Sequence, residues 1–300
     1  MKKILILAFL FPCLVALSDE KPTLDVTNLV KQFEAKLHYQ KGEVSLKSGL
    51  AKLNLPDSFR YLPPADADAV LVKLWGNPAG QHTLGMIVPA NLSLASHGAW
   101  AVVIQYEENG YVKDSDADTI DYTKMLKDMQ TSVHDENEQR KKEGYPTVEL
   151  VGWAAPPRYD KEAHKLFWAK EIRFNDSPEN TLNYNIRVLG RRGVLILNAV
   201  ASMRDFAAIE KQTPEIVKMA EFKEGNRYAD FDSKSGDKTA AYGLAALVAG
   251  GIAAKAGFFK LLWVGLIAAK KFIIIGVIAL VAFIKKMFAG KDSTPPSAGS

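Results

Sequence analysis

The sequence predicts an α+β fold, in which an antiparallel sheet is covered by a few helices and is followed by a C-terminal transmembrane helical hairpin. Between residues 147 and 203, strand-like segments follow one another across short turns, and there is no room for the crossovers that parallel pairing needs. Amphipathic helical segments near 64–76, 119–143 and 205–222 can cover such a sheet. Residues 239–289 contain long apolar runs and no acidic group, which is typical of a membrane anchor.

The strand predictions come from apolar residues that recur at every second position. Residues 42–56 alternate in this way around Ser48-Gly49 and predict a small hairpin. Residues 164–174 place apolar side chains on one face, with Lys170 among them, and residues 181–190 repeat the pattern. The apolar residues of these two segments are Leu166, Trp168, Ile172, Phe174, Leu182, Tyr184, Ile186 and Val188. We therefore expect a sheet with one apolar and one polar face.

Glycine and proline set the expected ends of the other elements. Asn109-Gly110 predicts a turn at the end of a β-branched, aromatic segment, and a proline turn is expected after the strand at 147–154. Gly144 closes the longest predicted helix, which carries a narrow apolar stripe. Pro214 interrupts the helix near 205–222.

Residues 1–18 predict a signal peptide. Lys2 and Lys3 precede an apolar run that is short for a bilayer span, and the small residues Ala16 and Ser18 favour cleavage after Ser18. An uncleaved signal anchor is the alternative.

Cys13 is the only cysteine of the chain. It follows Phe11-Pro12 rather than small residues, which argues against a lipid-modified cysteine. A chain cut after Ser18 has no cysteine, which excludes disulfides, a thiol nucleophile and thiolate metal sites from the exported part.

Nucleic acid is not an expected partner. Nine of the 38 basic residues lie within residues 1–18 or after residue 238, whereas only one of the 34 acidic residues does. The formal net charge of +4 therefore comes from the ends, and residues 19–238 carry a net charge of −4. Such a balance provides no basic surface for a polyanion.

Residues 239–289 are predicted to form the membrane anchor, with two helices, and residues 290–300 a disordered tail. A first helix near 240–260 is long enough to span if Lys255 reaches the interface. A short hairpin that turns at Lys270-Lys271 and a single span followed by an interfacial helix are the alternatives. The lipid bilayer is the expected partner of this segment.

Small residues recur along the predicted first span at three- to four-residue spacing, which lets helices approach closely. They are Ala246, Gly250, Ala254 and Gly257. Packing against the second helix and self-association, or contact with a membrane-protein partner, are both consistent with this stripe. Tyr242 lies where an aromatic residue would anchor the helix at the interface.

Asp114, Asp116 and Asp118 have the spacing of the first three ligands of a calcium loop. The loop glycine is replaced by Thr119 and the final glutamate by Met125, so the pattern is incomplete. Capping of the helix at 119–143 explains the aspartates equally well. We therefore expect no metal site.

Other chemical motifs are weak. Ser235 and Lys238 have a Ser-x-x-Lys spacing, but the Lys-Thr-Gly partner is missing. The five histidines are scattered, and no dinucleotide or phosphate-binding loop is present. We expect no cofactor, and the balance of motifs favours a protein that is not an enzyme.

The candidate binding residues are aromatic or charged and cluster in three segments. They are Tyr159, Arg191, Arg192, Arg227, Tyr228, Asp230 and Asp232. The hairpin turn Gly190–Gly193 is basic and could hold an anion, although a turn alone also explains it. The segment 226–232 is expected to pack back on the sheet as a strap ahead of the anchor and to orient the domain to the bilayer.

Several segments together resemble a bacterial family of uncharacterised membrane-anchored proteins with a domain of unknown function. The stretches that carry the resemblance are "LWGNP" (74–78), "LGMIVP" (84–89), "YEENGYVKD" (106–114), "GYPTVELVGWAAPPRYD" (144–160), "LFWAKEIRF" (166–174), "LNYNIRVLGRRGVL" (182–195) and "NRYADFDSKSGDKTAAYGLAALVAG" (226–250). The resemblance implies a secreted domain with a C-terminal membrane anchor, and it assigns no catalytic residues.

These observations predict a binding, assembly or sensing module of the bacterial cell envelope. Its α+β domain, residues 19–238, lies in the periplasm and is tethered to the inner membrane. An envelope-active hydrolase with an unrecognised site around Tyr159, Arg191, Arg192 and Asp230 is one alternative. An accessory subunit of a membrane transporter or pore is another, suggested by the lysines of the C-terminal segment.

Overall fold

The computed structural model describes residues 26–250, apart from residues 76, 78, 95, 97, 143–145 and 176. The predicted signal peptide, the tail and residues 251–289 of the predicted anchor lie outside the described residues. Within the described ranges, no helix combines the length and the apolar character that crossing a bilayer requires.

Several strands follow one another without an intervening helix, as is typical of an α+β fold. The helices are α1 (Val26–Glu34), α2 (Pro64–Ala69, continued by a π-helical turn at Val70–Leu74), α3 (Tyr122–Lys142), α4 (Phe206–Met219) and α5 (Leu244–Ala249). The strands are β1 (Gly42–Leu46), β2 (Ala51–Leu55), β3 (Phe59–Leu62), β4 (Gly85–Pro89), β5 (Ala101–Glu107), β6 (Tyr111–Lys113), β7 (Val148–Asp160), β8 (Lys165–Phe174), β9 (Thr181–Leu189), β10 (Val194–Ser202), β11 (Ala220–Phe222) and β12 (Thr239–Gly243).

A seven-stranded sheet in the order β3-β4-β5-β10-β9-β8-β7 forms the centre of the domain. Every neighbouring pair in this sheet is antiparallel. The predicted α+β fold with an antiparallel sheet covered by a few helices is therefore confirmed.

One face of the central sheet is covered by α4 and by a small sheet in the order β1-β2-β11. The β1–β2 pair is the hairpin predicted at 42–56. α4 is shorter than the predicted helix, because its last residues form β11, and it continues through Pro214. Lys165 crosses to α4, where its Nζ donates to the Val217 carbonyl at 2.6 Å and satisfies a carbonyl of the last turn.

The opposite face is also covered, which corrects the expectation of one polar face. α1 and α2 pack at the β3 end, β6, β12 and α5 pack over the centre, and α3 packs at the β7 end. All nine residues of β9 are buried as a result. The sequence signal was misread because polar residues of β9 alternate with its apolar ones although both sets are buried.

β7 passes through the proline turn that the sequence predicts after residues 147–154. It continues across Pro156 and Pro157 to Asp160, with three shifts of register against β8. β7 lies at the edge of the sheet, where a residue without an N–H is tolerated. The bulges therefore accommodate the prolines without ending the strand.

The turn at Asn109-Gly110 leads the chain out of the central sheet into β6, which pairs in parallel with β12. Gly110 has a φ of +94°, and a Cβ there would lie 2.6 Å from the Lys238 carbonyl oxygen. The close approach of these two distant segments therefore requires glycine.

The folded domain extends past the predicted boundary at residue 238, at least to Ala249. Residues 239–243, where a membrane helix was expected, form β12, and α5 then buries Leu244, Leu247 and Val248 on the central sheet. α5 ends at Gly250, which has a φ of +118°. A left-handed glycine is a common helix end. Ala254 and Gly257 of the small-residue stripe lie outside the described residues.

Tyr242 is part of this domain rather than an isolated anchor. Its ring packs with the α5 cluster, and its hydroxyl accepts a hydrogen bond from Asn109 Nδ2 at 3.1 Å. Burial raises the pKa of Tyr242.

Leu244→Ala should destabilise the domain by about 2–5 kcal/mol, because Leu244 is fully buried and its truncation leaves a cavity. Urea unfolding of the full chain, followed by tryptophan fluorescence, measures the change. Ala241→Ser at an exposed position of β12 is the control and should change the free energy of unfolding little. Equal stability of Leu244→Ala and wild type would show that residues 239–249 are not part of the domain.

Candidate functional site

A cavity of about 580 Å³ lies between α3, the β7–β8 end of the central sheet and α5. Its walls are mainly apolar and are formed by Ile120, Met125, Met129, Val133 and Leu150 together with three alanines of α5, Ala245, Ala246 and Ala249. Lys170 of β8 also lines it. The remaining lining residues include a second lysine, Lys124, and four carboxyl groups, Asp116, Asp121, Asp128 and Glu136. Ligand sites commonly combine apolar walls with a few polar groups.

Hydrogen bonds fasten both halves of α3 to β7 and the residues before it. In the first half, Gln130 Nε2 donates to the carbonyls of Leu150 and Val151, and the Tyr122 carbonyl accepts from Trp153 Nε1. Asn137 makes two hydrogen bonds to Val148, one to its carbonyl at 2.9 Å and one from its N–H at 2.8 Å. Arg140 donates to the Pro146 carbonyl through both Nε and Nη2. Val133 is the buried residue of α3, whereas Met125 and Met129 in its first half are only partly buried. Met125 and Met129 form part of the wall of the groove.

Lys170 is held in an environment that disfavours its positive charge. It lies on β8 opposite Asn183 of β9 and faces the groove. Burial, and then the nearby guanidinium of Arg187, lower the pKa of Lys170 to about 8. At neutral pH, most Lys170 side chains therefore still carry a proton, and a small fraction is neutral.

Arg187 is the second cation on this face, and a polar network holds it. Its Nη1 donates to Asn198 Oδ1 at 2.9 Å, and Asn185 lies between the arginine and Asn183. The guanidinium lies 5.0 Å from the centre of the Trp168 ring, a cation–π contact. Burial lowers the pKa of Arg187 to about 10, which the nearby Glu107 partly offsets.

The acidic residues around the groove are held by other groups. Asp116 accepts hydrogen bonds from the N–H groups of Leu244 and Ala245, at 3.1 and 3.0 Å, and so caps α5. Gly243 allows this approach, since a Cβ there would lie 2.7 Å from the carboxylate. Asp121 accepts from the Lys124 N–H at the start of α3.

The three aspartates of the incomplete calcium pattern have separate partners. Asp114 accepts a hydrogen bond from the Tyr159 hydroxyl, Asp116 caps α5, and Asp118 pairs with Lys161 at 2.5 Å. In the described part of the chain, no three His, Cys, Asp or Glu side chains are grouped as metal ligands would be. The sequence alternatively predicted that these three aspartates cap the helix at 119–143. That interpretation is wrong, because the residue that caps α3 is Asp121.

Tyr159 and Tyr228, two of the predicted binding residues, meet in a cluster beside β6. The Tyr228 ring stacks on Tyr111 with ring centres 4.4 Å apart and on His164 at 4.1 Å. The Tyr159 hydroxyl donates to Asp114 at 2.8 Å and lies 3.2 Å from His164 Nδ1. Burial is the main cause that raises the pKa of both tyrosines.

Arg191 and Arg192 form an ion-pair clasp with a residue that the sequence did not single out as their partner. Both Nε atoms donate to the Asp237 carboxylate, at 2.5 and 2.9 Å, and that side chain is 1% exposed. Arg191 also donates to Ser235 Oγ. The clasp lowers the pKa of Asp237 to about 2, with Arg191 the largest cause.

The hydrogen bonds of Arg227, Asp230 and Asp232 lie within the strap or join it to the residues that follow it. The Arg227 N–H donates to Asp230 Oδ2 at 2.8 Å, and Asp232 Oδ1 accepts from the Lys234 N–H at 2.8 Å. Ser235 Oγ donates to the Asp232 carbonyl, so its hydrogen bonds do not involve Lys238. With Gly190 bridged to Arg227, the predicted packing of the strap on the sheet is observed.

The predicted binding residues are thus brought together in two groups, and both are used to hold the strap. Lys170 and the groove were not predicted as a site. Two signals in the sequence pointed to it: Lys170 interrupts an apolar face, and polar residues alternate along β9 at Asn183, Asn185 and Arg187. A buried sheet face with such residues is uncommon, because each buried polar group needs a hydrogen-bond partner there.

Comparisons with known proteins give a family but no activity. Residues 38–281 match a family described as "Protein of unknown function (DUF2167)". No curated protein matches the chain.

Two solved structures show only a distant likeness. Cyanobacterial PsbP (CyanoP) from Synechocystis sp. PCC 6803 has 9% identity and a TM-score of 0.35, over 62% of this chain and 92% of the other. The Ran-binding protein Mog1p of Saccharomyces cerevisiae has 9% identity and a TM-score of 0.34, over 66% of this chain and 100% of the other. At these scores, neither similarity supports a functional argument.

Proposed function

We propose that this chain, which belongs to the DUF2167 family of proteins of unknown function, is a membrane-anchored binding module of the bacterial cell envelope. Its ligand site is the groove beneath α3. The observation that carries the proposal is the apolar cavity of about 580 Å³ with Lys170 in its wall.

The size and lining of the groove suit a small molecule. Ligand sites typically enclose about 300–1,000 Å³ and combine apolar walls with a few polar groups that fix orientation. Met125 and Met129 provide unbranched, polarisable side chains that adapt to different apolar shapes.

The proposed location in the cell rests on the sequence. Residues 1–18 have the pattern of a signal peptide, and the apolar segment after residue 250 has the pattern of an anchor. The chain leaves the described domain at Gly250, next to Ala249 in the wall of the groove. In this proposal the groove therefore lies beside the bilayer, on the periplasmic side of the inner membrane, where apolar ligands are available.

Met129→Trp should block the groove, because the larger ring fills space that the ligand needs. The full chain in phospholipid nanodiscs is photolabelled with a neutral diazirine-bearing fatty alcohol, and mass spectrometry locates the label. We expect saturable labelling of α3 and α5 peptides in the wild type and at least a tenfold loss in Met129→Trp.

Thr131→Trp is the matched control, because Thr131 is exposed on α3 and does not line the cavity. It should label like the wild type. Labelling confined to the segment after residue 250, or unchanged by Met129→Trp, would refute the groove as a ligand site.

The proposed topology predicts that alkaline phosphatase fused after residue 250 is active, because the domain is exported. A fusion after residue 295 should be equally active if two spans return the chain to the periplasm, whereas activity lost there would indicate one span. Inactivity of the fusion after residue 250 would contradict a periplasmic domain.

A further inference from the structure

We infer that residues 251–263, the first residues after the described domain, dock in the groove and compete there with the ligand. Their apolar side chains pack on the methionines of α3 and the alanines of α5, and Lys255 and Lys260 lie beside the carboxyl groups of the lining. The inference rests on the proposed function, because it adds regulation of access to the same site.

The walls of the groove leave apolar surface that an occupant can cover. The half-buried apolar residues of α3 and α5 that line it are Met125, Met129, Ala245, Ala246 and Ala249. Alanine side chains on α5 are small, so a packed segment can approach that helix closely. Covering these side chains with apolar residues removes their exposed surface from water, which is favourable.

The lining has an excess of negative charge. It contains four carboxyl groups and two lysines, so its formal charge is −2 when all six groups are ionised. Lys124 pairs with Asp128 at 3.1 Å, which leaves three carboxyl groups against Lys170. The donors that hold Asp116 and Asp121 are neutral backbone amides. This charge favours a basic occupant over an acidic one.

The residues that follow Gly250 have the complementary pattern. One set of apolar residues recurs at four- and three-residue spacing, as on one face of a helix: Ile252, Ala256, Phe259 and Trp263. At about 3.6 residues per turn, Lys255 and Lys260 flank this face on opposite sides. No acidic residue occurs between 251 and 291. An apolar face bordered by two cations fits an apolar groove bordered by carboxyl groups.

The position and the length of this segment also fit the groove. α5 ends at Gly250, and the preceding residue, Ala249, lines the groove. The part of the lining on α3 runs from Lys124 to Glu136, which is about 18 Å of helix at 1.5 Å per residue. A helix of residues 251–263 covers about the same length.

The covalent connection favours this segment over a separate partner. A segment joined to the wall by a short link has an effective concentration in roughly the millimolar range, which a separate partner would have to exceed. Residues 264–289, with the uncharged run 272–284, remain available for the bilayer. Docking is therefore compatible with the proposed anchor.

Disulfide formation in the full chain in phospholipid nanodiscs tests the docking. Cys13→Ser removes the only cysteine, and Met129→Cys and Phe259→Cys introduce one thiol in the groove and one in the segment. Oxidation should join the two thiols within one chain in more than about half of the molecules, because the segment is held at the groove.

Thr131→Cys with Phe259→Cys is the matched control, because Thr131 is exposed on α3 and does not line the groove. Its yield should be at least about fivefold lower, since a disulfide needs Cα atoms within about 7 Å of each other. If Met129→Cys does not fold, Met125→Cys, which lies one turn earlier in the groove wall, takes its place.

Charge reversal tests the role of the lysines. Lys255→Glu with Lys260→Glu should lower the yield of the Met129→Cys pair at least about fivefold, because like charges then face each other. Lys255→Arg with Lys260→Arg should retain the yield, because the positive charges remain. Without the introduced thiols, the glutamate variant should bind the neutral photoprobe about fivefold more tightly, because more of the grooves are open.

Equal yields from the two cysteine pairs, or a yield that charge reversal leaves unchanged, would overturn the inference, while labelling of the groove would still support the proposed function. A disulfide-linked dimer would also overturn it, because the occupant would then belong to a second copy. Strong cross-linking within one chain that the photoprobe never reduces, with α3 and α5 unlabelled, would instead refute the ligand site and the competition with it.

Discussion

The placement of two positive charges, the buried Arg187 and the half-buried Lys170, on one face of the central sheet is the constraint on which the rest of the structure depends. A buried cation is costly unless polar groups or aromatic faces surround it. Arg187 is accommodated by Asn198, by Asn185 and by the Trp168 ring. The polar residues of this face therefore lie in the interior, although their alternation in the sequence is typical of a solvent-exposed sheet face. They are Lys170 on β8, Asn183, Asn185 and Arg187 on β9, and Asn198 on β10.

This face must be closed by segments that are distant in sequence. β12 and α5 pack over it. Asp116 holds the start of α5 in place, because its carboxylate accepts hydrogen bonds from the first two N–H groups of that helix. The strap holds the same layer in place, because its Tyr228 ring stacks on Tyr111 and on His164. Asp237, which follows the strap, forms ion pairs with the two arginines of the β9–β10 turn. The groove with Lys170 lies under α3, next to α5 of this layer.

Features set by local chemistry could be predicted from the sequence. The hairpin at 42–56, the long helix α3 and the paired strands β8 and β9 each carry their own period and turn signals. Features set by distant contacts could not. β7 continues through two prolines because it lies at an edge, and residues 239–249 join the domain because β6 offers a partner strand. The same apolar composition would also suit a membrane segment, so the boundary at 238 was placed too early.

The candidate site shows the same division. Tyr228 of the strap and Arg191 of the β9–β10 turn are conspicuous in the sequence, and both make contacts that hold the strap in place. Lys170 is visible only as one lysine on an apolar strand face. The environment of Lys170 depends on α3 and α5, which cover this part of the sheet. No local pattern in the sequence shows which segment will cover a sheet.

The central claim, a lysine held in a protected groove beside a second cation, is tested most directly by measuring the pKa of Lys170. The full chain carrying ¹³C-labelled lysine is titrated by NMR, and Lys170→Arg identifies the resonance. We expect a pKa of about 8 for Lys170. A value near the ordinary lysine pKa of about 10.4 would contradict it, because the side chain would then be solvated rather than enclosed in the groove.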